Sequence, residues 1–180
     1  MYILWLSVEN YLIHNIVVDR RRANGTVRAI KALLTGKLKD KTDFVKKAKM
    51  HLCQSYYAIH YLETIGISGK QVRYLSDYVN DIYLAGEEAA LREKKEDVVL
   101  YNPKKGAAFT KALREMAQDL RWVPLTGMTT EEMRSCMSKS KVYIDFGNHP
   151  GKDRIPREAA ISGCIVITGK RGAAALAEDE

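Results

Sequence analysis

Residues 141–172 read KVYIDFGNHPGKDRIPREAAISGCIVITGKRG. An apolar run, 142–146, enters a loop that holds two glycines and leads into the bases Lys152, Arg154 and Arg157. A short helix is expected next, with Pro156 in its first turn, Glu158 beside it and Gly163 as its stop. A second apolar run, 164–168, follows at once. Strand, glycine loop, helix and strand make a compact βαβ unit. The unpaired N–H groups and positive dipole end of such a helix attract anions. With three bases beside it, the first turn is expected to hold a phosphate, and Glu158 to accept hydrogen bonds from sugar hydroxyls.

Working outward, the same alternation recurs. Residues 98–101 read as a strand, 102–106 as a turn, and Phe109, Ala112, Leu113, Met116, Ala117 and Leu120 stand at helical spacing. Residues 122–125 form the next strand. Gly127 turns the chain, and Thr129 with Glu132 makes a capping box for a helix that buries Met133, Cys136 and Met137. Nearer the N-terminus, 1–8 read as a strand broken by Glu9 and Asn10. Residues 50–54 form a second strand, and Ser55 caps a helix that Gly66 ends. Residues 71–75 form a third strand. Thr26 is expected to cap a helix with Val27, Ile30, Leu33, Leu34 and Leu38 inward and Arg28, Lys31, Lys37, Lys39 and Lys41 on or beyond its polar side. The loop 19–25 ahead of it reads as mobile. The Glu- and Lys-rich stretch 85–97 reads as a linker or an exposed helix, with the domain boundary in it. The expected organisation is therefore α/β: the closing part of a Rossmann-like domain over 1–84, the linker, and a second, better represented Rossmann-like domain over 98–180. Strands missing from either sheet would leave open edges that a second copy of the chain can cover.

Composition narrows the partners. The 180 residues carry a net charge of +7, which suits an anionic partner. No run approaches the roughly 20 apolar residues of a membrane span, and 1–8 lacks a basic leader and a small-residue cleavage site. The three cysteines are far apart in apolar patterns, as buried thiols are, and no Cys/His cluster points to a metal. The charge alone admits nucleic acid, but no recognition helix, aromatic RNA-binding motif or zinc finger accompanies it, so no specific nucleic acid is expected.

The run Glu158-Ala159-Ala160-Ile161-Ser162-Gly163-Cys164-Ile165-Val166-Ile167-Thr168 resembles the donor-binding region of retaining glycosyltransferases built from two Rossmann-like domains, the GT-B architecture. Members of that family often carry two glutamates eight positions apart; here Pro150 stands at the earlier position. The resemblance implies that Glu158 grips a nucleotide ribose and leaves the sugar-side acid unassigned, with Asp153 as a displaced substitute. It implies that Lys105, directly before Gly106, contacts the donor pyrophosphate, with Lys104 beside it, and that Gly127 and Met128 meet the nucleobase through their backbone. Gly151, Lys152 and Arg154 would line the phosphate end, and His149 the sugar or acceptor. Tyr56, Tyr57 and Tyr61, which follow the strand 50–54, read as a core or interface cluster, with the lining of an acceptor cleft as the alternative.

The function so implied is transfer of a sugar from a UDP- or GDP-sugar to a glycan or lipid-linked acceptor, as in bacterial polysaccharide synthesis. The expected catalytic groups are Lys105, Lys152 and His149. No cofactor and no metal is expected, because bases and a helix end stabilise the leaving diphosphate. The expected location is cytoplasmic, and the basic segment 20–49 reads either as a solvated face or as a contact with the inner membrane face. The alternative is a binding protein for nucleotides or phosphosugars on the same scaffold, without catalysis; Pro150 and the missing strands favour it.

Overall fold

Gly66 and Gly163, both with positive φ, end the helices that precede the strands Val72–Tyr74 and Ile165–Thr168, and the chain can then re-enter a sheet in the same direction each time. The computed structural model describes residues 1–15, 25–36 and 42–179. Among these, every strand pair is parallel. The structure is α/β and Rossmann-like, with one three-stranded and one four-stranded sheet flanked by helices. Contacts divide the chain into Met1–Ser76 with Pro150–Lys152 and Leu176–Glu180, and Asp77–His149 with Asp153–Ala175.

In the first unit the sheet order is β1 (Tyr2–Trp5), β2 (Met50–Cys53), β3 (Val72–Tyr74). Trp5, Val8, Cys53, Ala58 and Leu62 form its core, and Trp5 Nε1 donates to His51 Nδ1 at 3.0 Å. The first strand is shorter than expected. Val8 begins α1 (Val8–Asn15), and Ser7 Oγ accepts from the Asn10 backbone at 3.2 Å. Glu9 and Asn10 thus belong to a first helical turn, where an acid is favourable, and do not break the strand. Helix α2 (Thr26–Leu34) buries Ala29 and Ala32, while Val27, Ile30, Leu33 and Leu34 are exposed. The expected inward face is the outward one, and Gly25 holds the cap position expected for Thr26. Leu38, Lys37, Lys39 and Lys41, and 19–24 of the loop read as mobile, lie outside the described residues. After α3 (Thr42–Lys46) and β2, Ser55 caps α4 (Tyr56–Thr64) by accepting from Ala58, as its position predicts. Tyr61 packs on Trp5 and Tyr56 stacks on Tyr74, with centroids 5.7 and 5.1 Å apart, as a core cluster of tyrosines would.

The second unit opens ahead of the expected linker. Helices α5 (Asp81–Leu84) and α6 (Glu87–Arg92) bury Tyr83 and Ala90 within it, and β4 (Glu96–Tyr101) starts inside the stretch read as linker. Its sheet order is β5 (Arg121–Pro124), β4, β6 (Ser140–Asp145), β7 (Ile165–Thr168). Along β4 the side chains alternate, so both faces are buried. Val98 and Leu100 face a core with Met137 of α8 (Thr130–Lys139) and Ala159 of α9 (Arg154–Ile161). Val99 and Tyr101 face the other, with Leu113 of α7 (Ala107–Met116). The Thr129–Glu132 capping box forms as expected. Lys95 Nζ donates to the carbonyls of Ser138 and Ser162 at 2.6 and 2.5 Å, tying down the last turn of α8 and the end of α9.

Two glycines separate conformational strain from crowding. Gly106 (φ 58°) and Gly127 (φ 67°) are both left-handed, but a Cβ at Gly106 would lie 2.6 Å from the Phe146 carbonyl, whereas one at Gly127 meets nothing within 4 Å. We expect Gly127→Ala to cost about 1–2 kcal/mol from backbone strain. Gly106→Ala should cost a further ~1–3 kcal/mol from overpacking. Urea unfolding of the two variants checks this; equal losses would contradict the close approach of the two loops.

Candidate functional site

In the second sheet β5 lies on one side of β4 and β6 on the other. The chain leaving β4 crosses one face as α7, and the chain leaving β6 crosses the opposite face as α9. The carboxyl ends of β4 and β6 therefore flank a topological switch point, the crevice where ligands bind in open parallel sheets. The loop 102–106 and the segment 146–149 after β6 meet there. Their approach depends on small residues: a Cβ at Gly147 would lie 2.6 Å from the Lys105 Cβ and 3.0 Å from Asp145 Oδ1.

Asp145, the last residue of β6, is 2% exposed. Its Oδ2 accepts from the Tyr143 hydroxyl at 3.1 Å and its Oδ1 from the Gly147 backbone at 2.9 Å. Lys105 Nζ stands 4.0 Å from Asp145 and pairs closely with Asp153. His149, also 2% exposed, presents Nδ1 to Asp153 at 2.8 Å and Nε2 to Asp145 at 3.6 Å. Its backbone is pinned by the loop after β7: Ala173 N–H donates to His149 O at 2.8 Å. Burial by itself would favour the neutral imidazole. The hydrogen bond to Asp153 and the charges of Asp145 and Asp153 outweigh it, and the His149 pKa is raised. Asp153 is held below the usual carboxylate range because its bonds to His149 and Lys105 outweigh its own burial.

Asp153 occupies the N-cap position of α9, yet its side chain makes no capping bond. Aspartate is among the best N-caps, worth ~1 kcal/mol. Here that carboxylate turns away from its own helix to His149 and Lys105. A residue that forgoes its local role for a cluster of charges marks a site.

The structure joins three of the expected residues, Lys105, His149 and Asp153, and adds two that sequence reasoning passed over, Asp145 and Tyr143. Their signal was a lone carboxylate inside the apolar run 142–146. Lys104 is exposed, its backbone donating to Asn102 Oδ1 in the turn. Gly127 is exposed and Met128 half-buried in the loop after β5. Arg154 is exposed on α9. Gly151 and Lys152 belong to the first unit, where Gln54 Nε2 donates to the Lys152 carbonyl at 2.9 Å and Lys152 Nζ donates to the Tyr74 hydroxyl at 3.1 Å. No protein-family model, curated protein or solved structure matches this chain.

Glu158 sits one turn into α9, only 8% exposed, with Arg154 and Arg157 as its cationic neighbours. Burial raises its pKa against the pull of those two arginines. The folded chain therefore holds the Glu158 proton more tightly than the unfolded chain does. That contribution to stability is complete below the unfolded pKa and is lost as pH rises through the folded one. Glu158→Gln, which mimics the protonated acid, is expected to melt higher than the parent at pH 8 and close to it near pH 4.5. Scanning calorimetry at the two pH values tests this; a gain that does not change with pH would show that Glu158 is not ionising against its surroundings.

Proposed function

We propose that the chain is a GT-B-type glycosyltransferase, or a large part of one, that takes a UDP- or GDP-sugar at the second unit and passes the sugar to a glycan or lipid-linked acceptor. One observation carries this reading: Lys105, His149 and Asp153 converge with buried Asp145 at the switch point between β4 and β6. Carboxylates and an imidazole suit sugar hydroxyls, which both donate and accept. Lys105 would meet the pyrophosphate and stabilise the charge that develops on the leaving group. Glu158 remains the candidate ribose acceptor. Arg154, Lys104, Gly127 and Met128 belong to the proposed donor site through the family resemblance.

A second reading, binding without transfer, is favoured by a specific feature. The Lys105 ammonium already pairs with two carboxylates, so little of its charge is free for a diphosphate. The two readings part in one experiment. Titration calorimetry with UDP- and GDP-sugars should detect binding, and Glu158→Gln should weaken it by about 1–3 kcal/mol, the loss of a charge-assisted hydrogen bond. Release of free nucleotide or of a glycosylated acceptor supports transfer; tight binding with neither supports the second reading, and no binding removes both.

The first unit supports a peripheral contact with an anionic membrane. Val27 and Leu34 are 80% and 81% exposed on α2, beside the exposed bases Arg28 and Lys31. Among the described residues no helix is long and apolar enough to cross a membrane. The chain should float with vesicles containing anionic lipid and be released by salt, and Leu34→Glu should reduce flotation several-fold. Equal recovery with neutral vesicles would reject the contact.

A further inference from the structure

The geometry points to a divalent-cation site formed by Asp145, His149 and Asp153, with zinc the best match to one imidazole nitrogen and two carboxylate oxygens. Each residue offers one donor atom, and the three atoms lie within 4.8 Å of one another. One nitrogen with two oxygens is a donor set that zinc accepts, whereas all-oxygen cages suit magnesium and calcium.

An acidic cluster alone would not carry this. The second observation is His149 Nε2, which is buried, has no hydrogen-bond partner, and faces Asp145 Oδ1 at 3.6 Å. A buried polar nitrogen without a partner is costly, and most such groups in folded proteins are satisfied. A cation bound by Nε2 and Asp145 would satisfy it, with the Asp153 carboxylate turning from Nδ1 to complete the set. Asp145 is also held as ligating carboxylates are, by the Tyr143 hydroxyl and the Gly147 N–H, which orient it from outside the cluster.

The Lys105 ammonium already acts as the local cation, bonded to Asp153 and 4.0 Å from Asp145. A metal ion would compete with it for the same oxygens and would displace a proton from His149. Zinc entry would thereby release the Lys105 side chain from the cluster. The inference needs no sugar nucleotide and does not depend on the transferase reading.

Zinc chloride alone, titrated into the full chelator-treated chain at pH 8, tests it by calorimetry. One zinc per chain is expected. Asp153→Asn and His149→Gln should each weaken zinc binding by about 10-fold or more. Lys105→Met should tighten it, because the built-in competitor is gone. Circular dichroism confirms that each variant is folded, and Asp153→Asn, at the more exposed end of the cluster, serves if His149→Gln does not fold. Absence of zinc binding by the folded parent chain, or equal affinity in parent and Asp153→Asn, would overturn the site and leave an internal ion-pair network.

Discussion

A carboxylate at the inner end of a buried strand must be compensated, and the second unit is arranged around that requirement at Asp145. Desolvating an ion costs several kcal/mol unless partners recover it. The recovery comes from near and far in the sequence: Tyr143 two positions back, Gly147 two ahead, and Lys105 from the loop after the neighbouring strand. Lys105 reaches Asp145 only because the loops nest, and they nest only because positions 106 and 147 lack side chains. His149 then fills the space between Asp145 and Asp153. One buried acid thus accounts for two glycines, a lysine, a tyrosine and a histidine that otherwise look unrelated along the chain.

Helix ends in this unit are held by unequal means, and the inequality is informative. Helix α8 has a complete capping box from Thr129 and Glu132. Helix α9 begins at an aspartate that does not cap it. Pro156 sits in its first turn and presents no N–H there, which leaves one orphan donor fewer. Its far end is secured by Lys95 at the Ser162 carbonyl and by Gly163 at φ 79°. Packing and the C-terminal tie hold α9 without a side-chain cap, and this leaves the Asp153 carboxylate for the cluster.

Much of the fold was legible in the sequence because local signals and global arrangement agree. Strand–glycine–helix–strand over 141–172, the capping box at Thr129 and the Ser55 cap are short-range patterns set by backbone hydrogen bonding. The failures come where a pattern has two physical solutions. A helix with one apolar and one alanine-rich face can bury either, and α2 buries Ala29 and Ala32. A run of eight mostly apolar residues can be one strand or a strand and the start of a helix; Ser7, a capping residue inside the run, decides for the second. The division between the units depends on which core Tyr83 enters, and composition does not carry that.

The candidate site was legible by half for a related reason. Lys105, His149 and Asp153 lie in loops, where polar residues invite a functional reading. Asp145 and Tyr143 lie in a strand, where the surrounding Val142, Ile144 and Phe146 invite a structural one. Period-two alternation does not separate these cases, because a doubly covered parallel strand is apolar on both faces. What separates them is place along the strand. Asp145 is the final residue of β6, and at the carboxyl end of a parallel strand the side chain leaves the core for the crevice above the sheet. An acid in mid-strand would have to be neutralised wholly by core neighbours. An acid at the last position can be met by loops from two strands, and the Lys105 and Asn148–Asp153 segments do this. In a parallel sheet, an acid at the last position of an apolar strand therefore reads as part of the loop that follows it.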